Sequence, residues 1–299
     1  MNKKLLALQL ISVLMVAGII TGCSAGSKST KTTIKVGSKN FTESLILGEV
    51  YSEALEHAGY KVERKFNLGD AIVHTSLVSG QIDLYPEYTG TGLLSILKEQ
   101  PKYDSKEVYD EVAAKYKEKF KLIWLTPSTA NDSQGLVITK KASEQYDIHT
   151  ISDLQKNASK IRFASQGEFD KRADGLPALA KIYGDFKFKD EKLYDNGLKY
   201  SVLTNDKADL AVAYTTEGQL TDTQFVVLTD DKHAWPPYNV APVVREEILT
   251  KNADVKDILN KVTAKLDNKT LIKLNAEVDI DKKEYKAVAK EFYDAELSK

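Results

Sequence analysis

The sequence predicts an α/β protein built of two similar lobes, between which the chain crosses twice. One observation is a repeated phrase: residues 83–89 (DLYPEYT) and residues 209–215 (DLAVAYT) place a tyrosine at the same distance from an Asp-Leu pair. The other is the alternation of strand-like and helix-like segments, which is typical of a mostly parallel sheet covered by helices. Two such units predict a shared cleft, with Tyr88 and Tyr214 at strand ends facing it.

The first lobe is predicted to contain residues 33–130 and, after the chain returns, residues 240–299. Helices are assigned from apolar residues at helical spacing, and strands from short alternating or apolar runs bounded by turn-forming residues. The predicted elements are strands at 34–38, 61–66, 122–125 and 240–245, a strand beginning at 82, and helices at 43–57, 70–80, 106–121, 255–266 and 283–297.

The second lobe is predicted to contain residues 131–239, entered through a polar, turn-rich crossing near 126–132. The chain leaves it through residues 235–239, where a Trp-Pro-Pro-Tyr sequence is expected to be stiff and extended. The predicted elements are strands at 135–139, 161–165 and 225–228, a strand leading to Tyr214, and helices that begin at 151, 176 and 200.

The N-terminus has the pattern of an export signal. Two lysines precede an apolar run at residues 5–20, which is short for a membrane-spanning helix and ends in small residues. Cys23, the only cysteine, follows Ile-Thr-Gly and resembles the lipobox of bacterial lipoproteins. This predicts a signal peptide at 1–22, lipidation of Cys23 and a lipid-anchored, flexible tether at 23–32 that holds the protein outside the cytoplasm. The alternative is an ordinary signal peptide with an incidental cysteine.

The composition excludes several classes of function. The 299 residues are 42% hydrophobic and 28% charged with a net charge of −1, so no basic excess favours nucleic acid. The histidines lack the spacing of a zinc site, and no cysteine is left as a nucleophile. We therefore predict no metal, no cofactor and no enzymatic activity. The alternative is a secreted lipoprotein hydrolase that uses clustered carboxylates such as Asp230-Asp231 or Glu246-Glu247.

Tyrosines beside turn-forming residues are the most distinctive chemical feature of the chain. Pro86 and Gly90 are expected to break the third strand, so that Tyr88 lies in a loop, and Tyr214 and Tyr238 stand in similar positions. An aromatic face attracts a poorly hydrated cation, best of all a quaternary ammonium, and contributes about 0.5 to 2 kcal/mol per ring. The alternative for each tyrosine is that its ring packs a lobe interface or the core.

Several motifs together resemble the substrate-binding proteins of osmoprotectant (glycine betaine/carnitine/choline) ABC transporters. In chain order they are residues 37–43 (GSKNFTE), 85–91 (YPEYTGT), 172–177 (RADGLP), 213–216 (AYTT) and 236–238 (PPY). The resemblance extends from about residue 33 to the C-terminus. It implies a two-lobed type II periplasmic-binding-protein fold that closes on its ligand, with a membrane permease and a separate ATPase as partners.

The resemblance also implies roles for individual residues. Betaine-binding members of the family cage the trimethylammonium group between tyrosines and bind the ligand carboxylate with a lysine, a threonine and an arginine. By motif position these residues are Tyr88, Tyr214 and Tyr238 for the ammonium, and Lys39, Thr91 and Arg172 for the carboxylate. A guanidinium fork and an ammonium suit a carboxylate. For Lys39 or Arg172 alone, the alternative is a surface salt bridge.

One departure from the family means that the resemblance does not determine which betaine is the ligand. Many relatives carry a further cage tyrosine after the first crossing, where this chain has Gln134. A polar wall there is expected to weaken binding of glycine betaine and to admit a larger betaine, such as carnitine or ergothioneine. Asp70 is either a further pocket residue or a helix N-cap, and Trp235 is either an aromatic wall or a brace for the Pro-Pro turn.

The predicted function is therefore an extracytoplasmic solute-binding lipoprotein that delivers a quaternary-ammonium zwitterion, such as glycine betaine or carnitine, to an ABC importer. A receptor for a larger betaine such as ergothioneine is the alternative within this class.

Overall fold

The computed structural model describes residues 32–167 and 169–298. The predicted signal peptide, the lipidation site Cys23 and most of the tether lie outside these residues. Within the described ranges, no helix is both long enough and apolar enough to cross a membrane.

Strands and helices alternate along the described chain. The strands are β1 (Thr33–Lys39), β2 (Lys61–Leu68), β3 (Leu84–Tyr88), β4 (Leu122–Trp124), β5 (Gln134–Thr139), β6 (Arg162–Ser165), β7 (Asp190–Leu193), β8 (Leu210–Tyr214), β9 (Phe225–Val227) and β10 (Val240–Arg245). The helices are α1 (Thr42–His57), α2 (Asp70–Val78), α3 (Thr89–Thr91), α4 (Ser105–Phe120), α5 (Lys140–Tyr146), α6 (Ile151–Asn157), α7 (Leu176–Tyr183), α8 (Lys199–Thr204), α9 (Glu246–Lys251), α10 (Asp254–Thr263), α11 (Asn268–Asp279) and α12 (Tyr285–Glu296).

Two five-stranded sheets share the same internal plan. The first has the order β2-β1-β3-β10-β4, and β10 is antiparallel to both of its neighbours. The second has the order β7-β6-β8-β5-β9, and β5 is antiparallel to both of its neighbours. In each sheet the antiparallel strand is the first strand after the chain crosses from the other sheet. Strands β3 and β8 therefore occupy equivalent positions, which explains why both carry the repeated phrase that ends in a tyrosine.

The two crossings run between β4 and β5 and between β9 and β10, and they touch each other. Asn131 in the first crossing and Asn239 in the second form an antiparallel bridge. The Asn239 side-chain amide donates to the Ala130 carbonyl at 3.1 Å, and the Tyr238 backbone N–H donates to Asn131 Oδ1 at 2.7 Å. The predicted α/β architecture with two crossings is thus confirmed, and the lobe limits at residues 130 and 239 stay a prediction.

The largest apolar cluster surrounds α1. Its side chains Ile46, Val50 and Leu55 are buried with Leu259 of α10 and Phe292 of α12. Each fully buried side chain of this kind contributes about 1.5–3 kcal/mol relative to an exposed one. Because the segment before α1 lines the cavity described below, this packing fixes one wall of the site.

Helix α11 is absent from the predicted elements, as are β7, α5 and α9. Asp267 caps α11 by accepting a hydrogen bond from the Thr270 N–H at 2.7 Å. The helix packs against the segment after β8, where a Cβ on Gly218 would lie 2.4 Å from the Cα of Ala276. Only glycine permits this close approach, which brings the C-terminal part of the chain to the second sheet.

Candidate functional site

A cavity of about 420 Å³ lies between the two sheets and is lined by side chains from both. This volume is within the usual range of small-molecule pockets. The walls include all eight residues that the sequence predicted as ligand-binding, namely Lys39, Asp70, Tyr88, Thr91, Gln134, Arg172, Tyr214 and Tyr238. Folding thus brings together residues from each of the motifs that carry the family resemblance.

The expectation that Tyr88 lies in a loop is wrong. Tyr88 is the last residue of β3, a fully buried strand, and α3 follows it directly and ends at Thr91. Proline is usually excluded from the interior of a sheet because it lacks an N–H. Pro86 pairs with Pro242 of β10 at a position where the two strands exchange no hydrogen bond, because Pro242 turns its carbonyl away from β3 to the Leu125 N–H. Neither proline therefore removes a hydrogen bond between β3 and β10.

The rings of Tyr88 and Tyr214 have different surroundings. The Tyr88 hydroxyl donates to Glu43 Oε1 at 2.8 Å, and its ring lies 5.9 Å, centroid to centroid, from that of Phe41. The Lys199 ammonium lies 5.2 Å from the centroid of the Tyr214 ring, a cation–π distance. The Lys39 ammonium likewise lies 5.4 Å from the centroid of the Tyr88 ring. Each ring therefore already has a cation beside it, and Tyr88 is held in addition by a carboxylate and a neighbouring aromatic.

Tyr238 enters the cavity wall from the second crossing. A Cβ on Gly90 would lie 2.7 Å from two carbons of the Tyr238 ring, so the glycine of the Tyr-Thr-Gly-Thr motif makes room for it. The Tyr238 hydroxyl donates to Asp174 Oδ2 at 2.8 Å and accepts from Gln134 Nε2 at 3.2 Å. Tyr238 is thus fixed at both its ring and its hydroxyl.

Gln134 stands at the first position of β5, opposite Tyr214 in the ladder. Its Nε2 donates to the Asp174 carbonyl at 3.0 Å and to the Tyr238 hydroxyl. These contacts fix the orientation of the amide. Its Oε1 is buried and has no hydrogen-bond partner among the residues that the structure describes. The wall that the family resemblance would make aromatic here offers a hydrogen-bond acceptor.

Lys39 ends β1 and is almost fully buried. Its ammonium lies 2.7 Å from Glu87 Oε1 and 3.3 Å from Asp70 Oδ1. Burial opposes the charge, but the two carboxylates outweigh it and raise the pKa of Lys39. The backbone N–H of Lys39 donates to Ser44 Oγ at 2.8 Å, which ties the strand end to α1. Lys39 is therefore a charged, positioned cation.

Arg172 lies between β6, a strand of the second sheet, and α7. Its Nε and Nη2 bind the two oxygens of Asp174 at 2.8 and 2.7 Å, and its Nη1 lies 3.4 Å from Asp70 Oδ2. Burial opposes the charge, yet the fork to Asp174 raises the pKa of Arg172. The Trp235 indole donates to the Asp174 carbonyl at 2.7 Å. Trp235 therefore braces this arrangement and is not among the residues that line the cavity.

Asp70 is not the N-cap of α2. Gly69 occupies that position, and Asp70 is the first helical residue. The Lys39 ammonium lowers the pKa of Asp70 against the opposing effect of burial, and the Arg172 guanidinium lowers it further. Asp70 is thus an ionised carboxylate between the two cations.

A second acidic group in the cavity was not predicted from the sequence. Asn275 of α11 donates through Nδ2 to Glu43 Oε2 at 2.9 Å and to the Thr216 carbonyl at 2.8 Å. The Thr216 hydroxyl donates to Asp132 Oδ1 at 2.7 Å. Burial raises the pKa of both Glu43 and Asp132, and a neighbouring carboxylate raises each further: that of Glu217 acts on Glu43, and that of Glu43 acts on Asp132. Glu43 lies within a quoted motif, but its contact with a helix far along the chain leaves no sequence pattern.

No cluster of histidine, cysteine and acidic residues in the described part of the chain could hold a metal ion. The chemistry available in the cavity is therefore that of rings, carboxylates, two cations and amide oxygens.

Two mixed sheets, joined by two crossings around a buried cavity, define a two-lobed solute-binding protein of the type II periplasmic class. Residues 32–295 match the family described as the substrate binding domain of the ABC-type glycine betaine transport system. The chain belongs to this family. The predicted fold class, family and general function as a transport substrate-binding protein are confirmed, and an importer receptor is supported over a hydrolase.

Relatives cover most of the chain. The carnitine transport binding protein OpuCC of Listeria monocytogenes is 31% identical over 98% of this chain and 96% of its own length. The glycine-betaine-binding protein of Pseudomonas aeruginosa is 33% identical over 91% of this chain and 90% of its own. An ergothioneine transport permease/binding protein of Helicobacter pylori, EgtU, is 32% identical, and the match covers 46% of it. A solved glycine betaine/carnitine/choline ABC transporter structure superposes with a TM-score of 0.75 at 30% identity, covering 88% of this chain and 98% of that one.

Proposed function

We propose that this protein is an extracytoplasmic receptor that binds a quaternary-ammonium zwitterion, such as glycine betaine or carnitine, and presents it to an ABC permease. The observation that carries the proposal is the convergence of eight predicted residues from both halves of the fold on one cavity. The relatives support it, because they are transport binding proteins for carnitine and glycine betaine.

The cationic group of the ligand is bound between Tyr88, Tyr214 and Tyr238. A quaternary ammonium has no N–H and is weakly hydrated, so ring faces stabilise it without competing for hydrogen bonds. Glu43 and Asp132 line the same cavity, and their ionised forms favour a cation. Three rings at about 0.5–2 kcal/mol each provide about 1.5–6 kcal/mol of the roughly 8 kcal/mol that micromolar binding requires, so the contacts with the ligand carboxylate must provide the rest.

The carboxylate of the ligand is bound by Lys39, Thr91 and Arg172. Arg172 uses two of its nitrogens on Asp174 and keeps Nη1 for a further acceptor. Lys39 provides a second cation, and the Thr91 hydroxyl provides a neutral donor at the end of α3. Charge-assisted hydrogen bonds of this kind are about twice as strong as neutral ones.

A larger betaine with an O–H or N–H donor is the second candidate, and Gln134 favours it. Its buried Oε1, without a partner among the described residues, suits a donor on the ligand. Glycine betaine has no such donor, whereas carnitine has a hydroxyl and ergothioneine has ring N–H groups. Leaving a buried acceptor unpaired costs about 1–3 kcal/mol.

The protein is proposed to bind without catalysis. The acid pair Asp230-Asp231, offered as the hydrolase alternative, lies outside the cavity lining, and its carboxylates accept hydrogen bonds from Tyr183 and Ser152. A binding protein should return its ligand unchanged after prolonged incubation, which mass spectrometry of the released ligand would check.

Lipidation of Cys23 is proposed as the membrane anchor. Mass spectrometry of the mature N-terminus should show Cys23 carrying a diacylglyceryl thioether. An unmodified Cys23 thiol would refute the anchor and leave the binding function untouched.

Titration calorimetry tests the binding function. Glycine betaine, carnitine, choline, proline betaine and ergothioneine are compared with glycine, which carries a primary ammonium in place of the quaternary one. We expect at least one quaternary compound to bind and glycine not to bind. Binding of glycine with none of the quaternary compounds would overturn the proposal.

A further inference from the structure

The two cations proposed for the ligand carboxylate already share a carboxylate of the protein. Asp70 places Oδ1 3.3 Å from the Lys39 ammonium and Oδ2 3.4 Å from Arg172 Nη1. Lys39 belongs to the first sheet, whereas Arg172 follows β6 of the second. Asp70 therefore contacts, through its two oxygens, the same two groups that a bound carboxylate would use.

The local charge does not favour an additional anion. Lys39 also contacts Glu87 at 2.7 Å, and Arg172 also binds Asp174 through its fork. Formally, two cations face three carboxylates, which include Asp70. A ligand carboxylate added to this group would meet net repulsion unless one of the three moved away.

Asp70 is the carboxylate that can leave. Its side chain is 38% exposed, whereas those of Glu87 and Asp174 are each 1% exposed. Its contacts, at 3.3 and 3.4 Å, are longer than the 2.7 Å contacts of the other two. A departing Asp70 can be solvated by water, but a departing Glu87 or Asp174 would leave a charge in the interior.

We propose that Asp70 is an exchangeable internal counter-ion that occupies the carboxylate subsite and is displaced when a zwitterionic ligand binds. The inference rests on the proposed function and adds a specificity determinant to it. Asp70 lowers the affinity for ligands that carry a carboxylate. It leaves the binding of choline, which has the same trimethylammonium group and no carboxylate, almost unchanged.

The same contact links the two halves of the fold. Asp70 begins α2, which follows β2 of the first sheet. Its partner Arg172 follows β6 of the second sheet. A ligand that displaces Asp70 replaces one bridge between the halves with another. The ligand carboxylate therefore contributes to the binding free energy only the difference between its own contacts with Lys39 and Arg172 and the Asp70 contacts that it replaces.

The test compares Asp70→Asn with the unmodified protein by titration calorimetry against glycine betaine, carnitine and choline. Asparagine keeps the size of the side chain and removes its charge. We expect the affinity for the two carboxylate ligands to rise about tenfold or more, because a competing like charge is removed. The affinity for choline should change by less than about threefold. Asp70→Ser, which also shortens the side chain, should change the three affinities in the same directions.

Asp257→Asn is the matched control. Asp257 is an exposed residue in the first turn of α10, as Asp70 is in the first turn of α2, and it does not line the cavity. Removing its charge should leave all three affinities unchanged, which excludes an effect of net charge alone.

Three outcomes would overturn the inference. If Asp70→Asn weakens carboxylate ligands, Asp70 positions Lys39 and Arg172 and does not compete with the ligand. If it strengthens choline as much as glycine betaine, the effect is not on the carboxylate subsite. If neither protein binds any of the five quaternary compounds named above, the proposed function fails and this inference fails with it.

Discussion

Replacing Arg172 by lysine separates charge from geometry in the carboxylate subsite. Arginine binds Asp174 through Nε and Nη2, at 2.8 and 2.7 Å, and its Nη1 makes a separate contact of 3.4 Å with Asp70, which the ligand carboxylate is proposed to replace. The single ammonium of a lysine cannot hold both Asp174 and a ligand carboxylate in this arrangement. The positive charge stays, but the fork that distributes it between two partners is lost.

The expected loss follows from the contact that disappears. A hydrogen bond to a charged group contributes about 1.5–3 kcal/mol, and each 1.4 kcal/mol is a factor of ten in affinity. Arg172→Lys should therefore weaken glycine betaine about ten- to a hundredfold. Choline has no carboxylate, so its affinity should change by less than about threefold.

Titration calorimetry with both ligands measures the two changes on the same protein. Arg64→Lys is the matched control, because Arg64 also makes a fork, to Glu49 at 2.9 Å and to Glu56 at 2.8 Å, and does not line the cavity. Its replacement should change neither affinity. An equal loss for both ligands in Arg172→Lys would refute the assignment, since it would show damage to the cage or the fold.

The remaining predictions concern the cage. Tyr214→Leu should weaken any trimethylammonium ligand by about 0.5–2 kcal/mol through loss of one ring, while Tyr214→Phe should keep most of the affinity; equal losses in calorimetry would show that the ring face is not the contact. Gln134→Tyr should favour glycine betaine over carnitine and ergothioneine by adding a ring and removing an acceptor, and an unchanged ligand ranking would count against Gln134 contacting the ligand. Because burial raises the pKa of Glu43 and Asp132, each holds its proton above the pH at which an exposed carboxyl has lost it. A bound cation favours the ionised forms, so binding should release protons and affinity should rise with pH through the raised pKa values. Calorimetry in buffers of different ionisation enthalpy would detect the release, which Asp132→Asn should reduce, and an enthalpy independent of buffer would contradict it.

The repeated phrase in the sequence predicts the architecture because both copies lie on topologically equivalent strands. Strands β3 and β8 each end in a tyrosine at the cavity, and the fixed distance from the Asp-Leu pair to that tyrosine is visible without a structure. The expected loop at Tyr88 failed for a physical reason. A proline usually breaks a strand, but Pro86 lies at a position where β3 and β10 exchange no hydrogen bond, so its missing N–H costs no bond between these strands.

The carboxylate cluster at Glu43 and Asp132 could not be predicted from local pattern. Its members are joined by Asn275 and Thr216, and the bond from Asn275 to Glu43 spans 232 positions of sequence. Helix α11, which carries Asn275, has an aspartate cap, and its buried Leu271 and Leu274 lie on one face. The helix was therefore predictable, whereas the contact of its asparagine with α1 depends on the packing of the finished fold.

The central claim is that the cavity selects a quaternary ammonium by its charge and not only by its shape. Calorimetry of glycine betaine against 3,3-dimethylbutanoate, the anion in which an uncharged carbon replaces the quaternary nitrogen, tests this directly because the two share size and carboxylate. If glycine betaine itself binds too weakly to measure, carnitine and its carbon isostere replace the pair. The cage predicts that the quaternary compound binds about tenfold or more tightly than its isostere. Equal binding of the two would show that the rings of Tyr88, Tyr214 and Tyr238 provide an apolar surface and not a cation site.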